Sequence, residues 1–360
     1  MKRFLICLTV VFMALSLVNC KTGGESGALP GGGKFNLSDL FGKGKGKITE
    51  PELGDIDTEF RNWESQDTHM WLPKEVPDRR IAYRIDTFTF GDIRIPKNNK
   101  LRTAAGYPVM VMIHGGAWAA NNSLDSVAPL AEALTDFGIA TWNIEFSRLG
   151  NSRGGYPGTF QDVGQAVDYL RTLAPEWNLD LSRVVVMGHS SGGHLALWVS
   201  SRHKISPSNE ELYVADPLPI KGVVSLAGIP HLEGALITGG RTDVLTLHGF
   251  LPFDPPSILL PYYPSTSPYH MLPTGVTTSH IIGTEDNDWR IAITEWYVDE
   301  ATTLGGEARI NMLNGANHFD VIDPCGPGWP TIVRELFWVL GEQPPSGDLN
   351  KSKFCPVTGR

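Results

Sequence analysis

Arg183-Val184-Val185-Val186-Met187-Gly188-His189-Ser190-Ser191-Gly192 is the stretch on which the fold turns, with the apolar run Leu195-Ala196-Leu197-Trp198-Val199 close behind it. A run of strand length meets a turn of small residues, and a run of helical character follows. A nucleophile carried on a sharp strand-to-helix turn needs small residues two places to either side, because the backbone there is strained and crowded. Gly188 and Gly192 meet that need for Ser190. Taking Ser191 as the nucleophile would place His189 where a small residue is required, so the register selects Ser190.

Outward from this turn, strands and helices alternate. The continuous apolar run at 107–113 (YPVMVMI) suits a buried strand, and 139–144, 183–187, 221–226, 278–282 and 308–313 read as further strands. Helical stretches are expected near 127–136, 160–173, 289–303 and 331–340, and the alternation over 83–95 reads as a hairpin. Such an order implies an α/β fold with a mostly parallel sheet covered by helices on both faces.

A serine hydroxyl is a weak nucleophile near neutral pH, so it requires a base, and the base requires an orienting acid. On a strand–serine–helix turn of this kind the chain order is Ser, acid, His. Of the ten histidines, His318 in Gly315-Ala316-Asn317-His318-Phe319-Asp320 is the one that follows the last strand. The acid belongs in the turn after the preceding strand, where Ser279-His280-Ile281-Ile282-Gly283-Thr284-Glu285-Asp286 offers Asp286. Asp288 competes with it from the same turn, and Glu285 is expected to face solvent. Donors for a developing oxyanion are expected from the backbone of His114-Gly115-Gly116-Ala117-Trp118, around Gly115, Gly116 and Ala117, together with the N–H of Ser191. Trp118, fixed beside those donors, is a candidate for the substrate pocket.

These HGGAW and GHSSGGH segments, with NHFDVIDP at 317–324 and the stretches 142–150 and 154–160, resemble the α/β-hydrolases related to kynurenine formamidase and bacterial feruloyl-type carboxylesterases. The resemblance covers about residues 80–342. It implies a single catalytic domain of α/β-hydrolase fold and no metal or other cofactor. The implied chemistry is cleavage of a small ester or amide, a formamide included, through an acyl-enzyme. Two departures from the family pattern, Ser191 in place of the usual Ala and Phe146 in place of Tyr, leave the catalytic groups intact and bear on the substrate. Between 228 and 273 the periodicity gives way to Pro and aromatic residues, Phe250, Phe253, Tyr262, Tyr263 and Tyr269 among them. Such an insertion reads equally as a lid or acyl pocket and as a long loop packed on itself.

The ends of the chain carry different signals. Lys2 and Arg3 precede an apolar run over 4–18, too short to span a bilayer and laid out as a secretory signal peptide. It ends in Leu17-Val18-Asn19-Cys20, which resembles a bacterial lipobox, so residues 1–20 are expected to direct export and Cys20 to carry lipid to the cell envelope. An ordinary signal peptide cut elsewhere is the alternative. Residues 21–50 hold nine Gly and few apolar side chains. They read as a tether reaching roughly 30 Å. The catalytic domain is expected over 51–345 and a tail over 346–360. With Cys7 lost and Cys20 lipidated, Cys325 and Cys355 remain, and outside the cytoplasm they are expected to pair as a disulfide near the His318 loop.

Composition narrows the field further. At 360 residues, 41% apolar and 19% charged, the chain has the makings of a sizeable core. A net charge of −9 without a clustered basic face argues against a nucleic-acid partner. No His, Cys and carboxylate spacing resembles a metal-ligand set. A short-peptide peptidase with the same triad usually carries a large N-terminal propeller, for which residues 51–80 are too few. An inactive, lipid-anchored binding protein on the same fold is disfavoured by the presence of every triad residue type.

Overall fold

Strands that are apolar at every position must be covered on both faces, and the two faces of this sheet sort its side chains by parity. The computed structural model describes residues 76–238, 250–251, 261–346, 349 and 355. The expected signal peptide, Cys20, the tether and residues 51–75 lie outside these, as do 239–249 and 252–260 of the insertion and most of the tail.

Eight strands form one sheet: β1 (Arg79–Ala82), β2 (Phe90–Arg94), β3 (Tyr107–Ile113), β4 (Ala140–Ile144), β5 (Leu179–His189), β6 (Gly222–Leu226), β7 (Thr277–Gly283) and β8 (Ala308–Leu313). Their spatial order is β1-β2-β4-β3-β5-β6-β7-β8. The β1–β2 and β2–β4 pairings are antiparallel and the rest are parallel. The helices are α1 (Ala128–Thr135), α2 (Gly158–Asp168), α3 (Leu170–Trp177), α4 (Ser191–Ser200), α5 (Leu232–Ile237), α6 (Tyr263–Thr266), α7 (Asp288–Thr303) and α8 (Trp329–Leu340).

Val109, Val111 and Ile113 of β3, with Val184 and Val186 of β5, pack in the cluster that also holds Phe160 of α2, Leu195 and Trp198 of α4 and Ile293 of α7. Their neighbours Met110, Met112, Val185 and Met187 face the other way, onto Leu130 and Leu134 of α1 and Ile332 and Leu336 of α8. Each fully buried side chain of this size contributes about 1.5–3 kcal/mol relative to exposure. The central parallel strands are thereby fixed in register, since a one-residue slip would exchange the two faces.

Two expectations need correction in detail. The hairpin lies earlier than 83–95: its first arm is β1, and Tyr83 instead turns inward, its hydroxyl donating to the Glu145 carbonyl at 2.8 Å. The helix expected over 160–173 forms as two segments, because the ladder tightens at Tyr169, whose carbonyl accepts from Thr172 as well as Leu173.

Candidate active site

Ser190 sits between the end of β5 and the start of α4 at φ 55°, ψ −121°. This is a left-handed φ that side-chain-bearing residues rarely adopt. Its N–H donates to Leu226 O at 2.9 Å, and its carbonyl accepts from Gly193 N and His194 N, so the turn is held from β6 and from the helix it starts. The two flanking glycines are required by contact. A Cβ on Gly188 would overlap the Gly192 carbonyl, and one on Gly192 would overlap the carbonyls of Ile113 and His114. Among the described residues, four of the five non-glycine positions with positive φ are Ala117, Trp118, Ser190 and Ala227. Backbone strain is thus concentrated where β3, β5 and β6 end.

His318 and Asp286 meet beside this turn. His318 Nδ1 lies 2.7 Å from Asp286 Oδ2. The other carboxylate oxygen accepts from Asn287 N at 2.7 Å and Arg290 Nε at 3.2 Å. Burial by itself raises the pKa of Asp286, but His318 beside it, the hydrogen bond between them, Arg290 and the Asn287 amide together hold it well below the usual carboxylate range. Asp288 and Glu285 are both exposed, Asp288 opening α7, and neither reaches His318. The His318 loop is tied down in its turn: Gly315 N donates to Thr284 Oγ1 at 2.8 Å and Asn317 N to Asp320 Oδ2 at 2.7 Å. His189 Nε2, from the residue before the serine, lies 2.9 Å from the His318 carbonyl oxygen, and the two imidazole rings are 4.7 Å apart. Among the described residues the Ser190 hydroxyl makes no hydrogen bond, a contact that often tightens only with substrate in place.

The loop after β3 runs against the serine. A Cβ on Gly115 would lie 2.9 Å from His189 O and 3.1 Å from Ser190 Cβ. Among the described residues the N–H groups of Gly116, Ala117 and Ser191 have no acceptor. The loop is braced by His114, whose Nε2 is 2.9 Å from Glu145 Oε1 and whose ring stacks on Phe146 at 4.5 Å. Glu145 also accepts from Phe146 N and Leu124 N and pairs with Arg148. Asn122 Nδ2 donates to Gly115 O at 3.1 Å, while the Asn122 carbonyl accepts from the Arg148 guanidinium. Ser191 has a role beyond its backbone: its Oγ accepts from Trp118 N at 3.2 Å, joining the loop to α4.

Trp118, the pocket candidate, is buried among the described residues. Its ring is 1% exposed, stacked on Phe250 at 4.9 Å, and its indole N–H donates to His194 Nδ1 at 3.2 Å. The motif fixes its backbone at φ 58°, and the ring turns into the core. His194 in turn has its Nε2 2.8 Å from Thr266 O, and burial takes its pKa down to about 4, so it is a neutral core residue. The described parts of the insertion are packed: Phe250 is buried, and the carbonyls of Ser265 and Thr266 accept from Trp198 and His194 of α4. A charged cavity of about 440 Å³, lined by Arg84, Arg153, Asp168 and Arg202 among others, contains none of Ser190, Asp286 and His318. Its charges are paired, Arg202 with Asp168 at 2.6 Å and Arg84 with Asp162 at 2.8 Å.

Cys325, seven residues after His318, and Cys355 form a disulfide, with Cα atoms 5.4 Å apart. Arg290, Asn122 and the Glu145 brace were missed from sequence. Arg290 had a readable signal, four residues beyond Asp286 at the start of a helix. Glu145 had none, since it meets His114 only through the pairing of β3 with β4.

The BD-FAE family model matches residues 92–238, a span that includes both the HGGAW and GHSSG segments. The probable isoprenylcysteine alpha-carbonyl methylesterase of Oryza sativa subsp. japonica is 22% identical over 276 residues, covering 75% of this chain and 64% of its own length. Esterase LipQ of Mycobacterium tuberculosis is 25% identical over 126 residues, 33% of this chain and 30% of that protein. The chain therefore spans less than two thirds of the length of these relatives. Among solved structures, esterase B from Lactobacillus rhamnosis matches with a TM-score of 0.64 at 16% identity, over 80% of this chain and 95% of that one. Together with the strand order, this likeness shows that the chain has the α/β-hydrolase fold.

Proposed function

We propose that this chain is a serine carboxylesterase acting on small esters. The observation that carries the reading is Ser190 held on a strained turn beside the His318–Asp286 pair. In this mechanism Ser190 Oγ attacks the ester carbonyl while His318 Nε2 takes its proton. The N–H groups of Gly116, Ala117 and Ser191 hold the oxyanion. His318 then protonates the leaving alcohol, and water, activated by the same imidazole, releases the acid from the acyl-enzyme. Asp286 fixes the imidazole with Nδ1 protonated and stabilises the imidazolium as it forms. Arg290 and the Asn287 N–H keep Asp286 ionised and oriented throughout. The BD-FAE match and the naming of the relatives as esterases support the same substrate class.

The purified protein is expected to release p-nitrophenol from short acyl esters, and Ser190→Ala is expected to lower that rate by roughly 10⁴-fold or more. A Ser190→Ala variant with the wild-type rate would contradict the mechanism. Parallel assays on N-formylkynurenine, feruloyl esters and acetylated sugars then rank the substrate classes. Export and lipid anchoring through Cys20 complete the proposal, supported by Lys2-Arg3, the apolar run and the glycine-rich tether. Incorporation of labelled palmitate that disappears in Cys20→Ser tests the anchor.

A further inference from the structure

The insertion that leaves β6 and returns to β7 has a neck at which three metal-binding side chains converge, and the chemistry above uses none of them. His231 immediately precedes α5, Glu233 lies in its first turn, and His270 lies in the short 3₁₀ segment Pro268–Met271. His270 Nε2 is 3.2 Å from Glu233 Oε2, and His231 Nε2 is 4.0 Å from the same oxygen. The donor atoms of all three lie within 4.8 Å of one another. His231 is 7% exposed and stacks on Tyr269 at 3.9 Å, yet neither of its ring nitrogens has a hydrogen-bond partner. A buried imidazole with both nitrogens unpaired is costly unless something binds it.

The neck is already closed by the backbone. Tyr269 N donates to Pro230 O at 2.9 Å, and Leu232 N donates to Ser267 Oγ at 3.2 Å. Both sides of the neck thus present their ligand atoms without further folding. We propose that His231, Glu233 and His270 bind one divalent transition-metal ion of the zinc type, which clips the two ends of the insertion together. Two imidazoles and one carboxylate suit Zn²⁺ and its neighbours Co²⁺ and Ni²⁺, whereas Mg²⁺ and Ca²⁺ want an all-oxygen shell. Ligands about 2.0–2.1 Å from a tetrahedral zinc are roughly 3.3 Å apart, the spacing Glu233 and His270 already have. The wider His231–Glu233 gap closes by a turn of the Glu233 carboxylate, whose side chain is 38% exposed. His231 Nδ1 lacks the acceptor that usually braces a ligating imidazole, so the affinity is expected to be micromolar and not that of a structural zinc finger. The sequence hides this set because Glu233 and His270 are far apart along the chain and meet only at the neck.

The test is calorimetric titration of the metal-stripped, tag-free full chain in detergent with zinc chloride and, separately, magnesium chloride, with thermal melts alongside. The expected result is one saturable zinc ion per chain and a rise in Tm that magnesium does not produce. Glu233→Gln and His270→Gln, both at partly exposed positions, are each expected to weaken zinc binding at least about tenfold. His231→Gln should do the same, but its burial makes the other two variants decisive. His318→Ala should bind zinc as the wild type does. Absence of saturable zinc binding below millimolar concentration would overturn the proposal. So would undiminished binding in the Glu233→Gln/His270→Gln double variant, or loss of binding in His318→Ala alone.

Discussion

Two imidazole–carboxylate pairs flank β7 along the chain, and they are built to opposite ends. Asp286 and His318 meet at 2.7 Å with the carboxylate buried and both of its oxygens engaged, one by His318 and the other by Asn287 N and Arg290. Glu233 and His270 meet at 3.2 Å near the surface, beside His231, whose nitrogens have no partner. The functional groups are the same in both places, and the surroundings decide what each can do. In the first, an oriented tautomer and a carboxylate kept ionised leave the imidazole one open nitrogen, the one that proton transfer needs. In the second, lone pairs remain uncommitted, which is what a ligand needs.

The comparison breaks most visibly at the first pair. Asp286→Asn is expected to lower kcat by about 10²–10⁴-fold, because the amide presents a donor to His318 and reverses its tautomer. Asp288→Asn, on an exposed first-turn residue, is expected to stay within about twofold. Steady-state kinetics on one ester checks both. Equal losses in the two variants would erase the distinction between a committed carboxylate and its neighbour.

A second contrast, between partnered and unpartnered imidazoles, predicts stability. His194 is satisfied on both nitrogens, whereas His280 on β7 is buried against Tyr297 with neither nitrogen bonded. Burial takes their pKa values down to about 4 and about 3. Unfolded histidine titrates near 6.5, so between that value and the folded ones the unfolded chain binds more protons. Stability is therefore full above about pH 6.5 and falls as the pH drops toward 4. Asp286 adds nothing in that window, since its contribution is present above the unfolded carboxylate value of about 3.9 and is lost only below it. His280→Leu removes the unpaired group and is expected to stabilise by about 1 kcal/mol at pH 7 and to flatten the acid side of a Tm–pH profile. A steeper acid side in the variant would contradict this.

An effect of similar size belongs to Ser191. Replacing it by Ala leaves Trp118 N–H without its acceptor and is expected to cost about 1 kcal/mol in a denaturant titration, with KM nearly unchanged.

These contrasts also mark what the sequence could and could not tell. The serine turn was legible because its constraint is local: five consecutive residues, two of them glycines that contact their own neighbourhood. The central strands were legible because they are apolar at every position. Asp286 was separable from Asp288 only by burial and by the reach of His318, and both of these are tertiary. The surroundings of the Trp118 ring were not legible, because its motif specifies a backbone and leaves the ring's direction to packing against Phe250 and His194. The His231 cluster could not be read at all, since its members converge only when the insertion closes.

The most direct test of the central claim is peptide mapping by mass spectrometry after reaction with an alkyl fluorophosphonate. One adduct per chain is expected, on Ser190, with ester hydrolysis lost in proportion and no adduct in His318→Ala over the same time. An adduct on Ser191 or elsewhere, or full ester turnover after Ser190 is blocked, would contradict it.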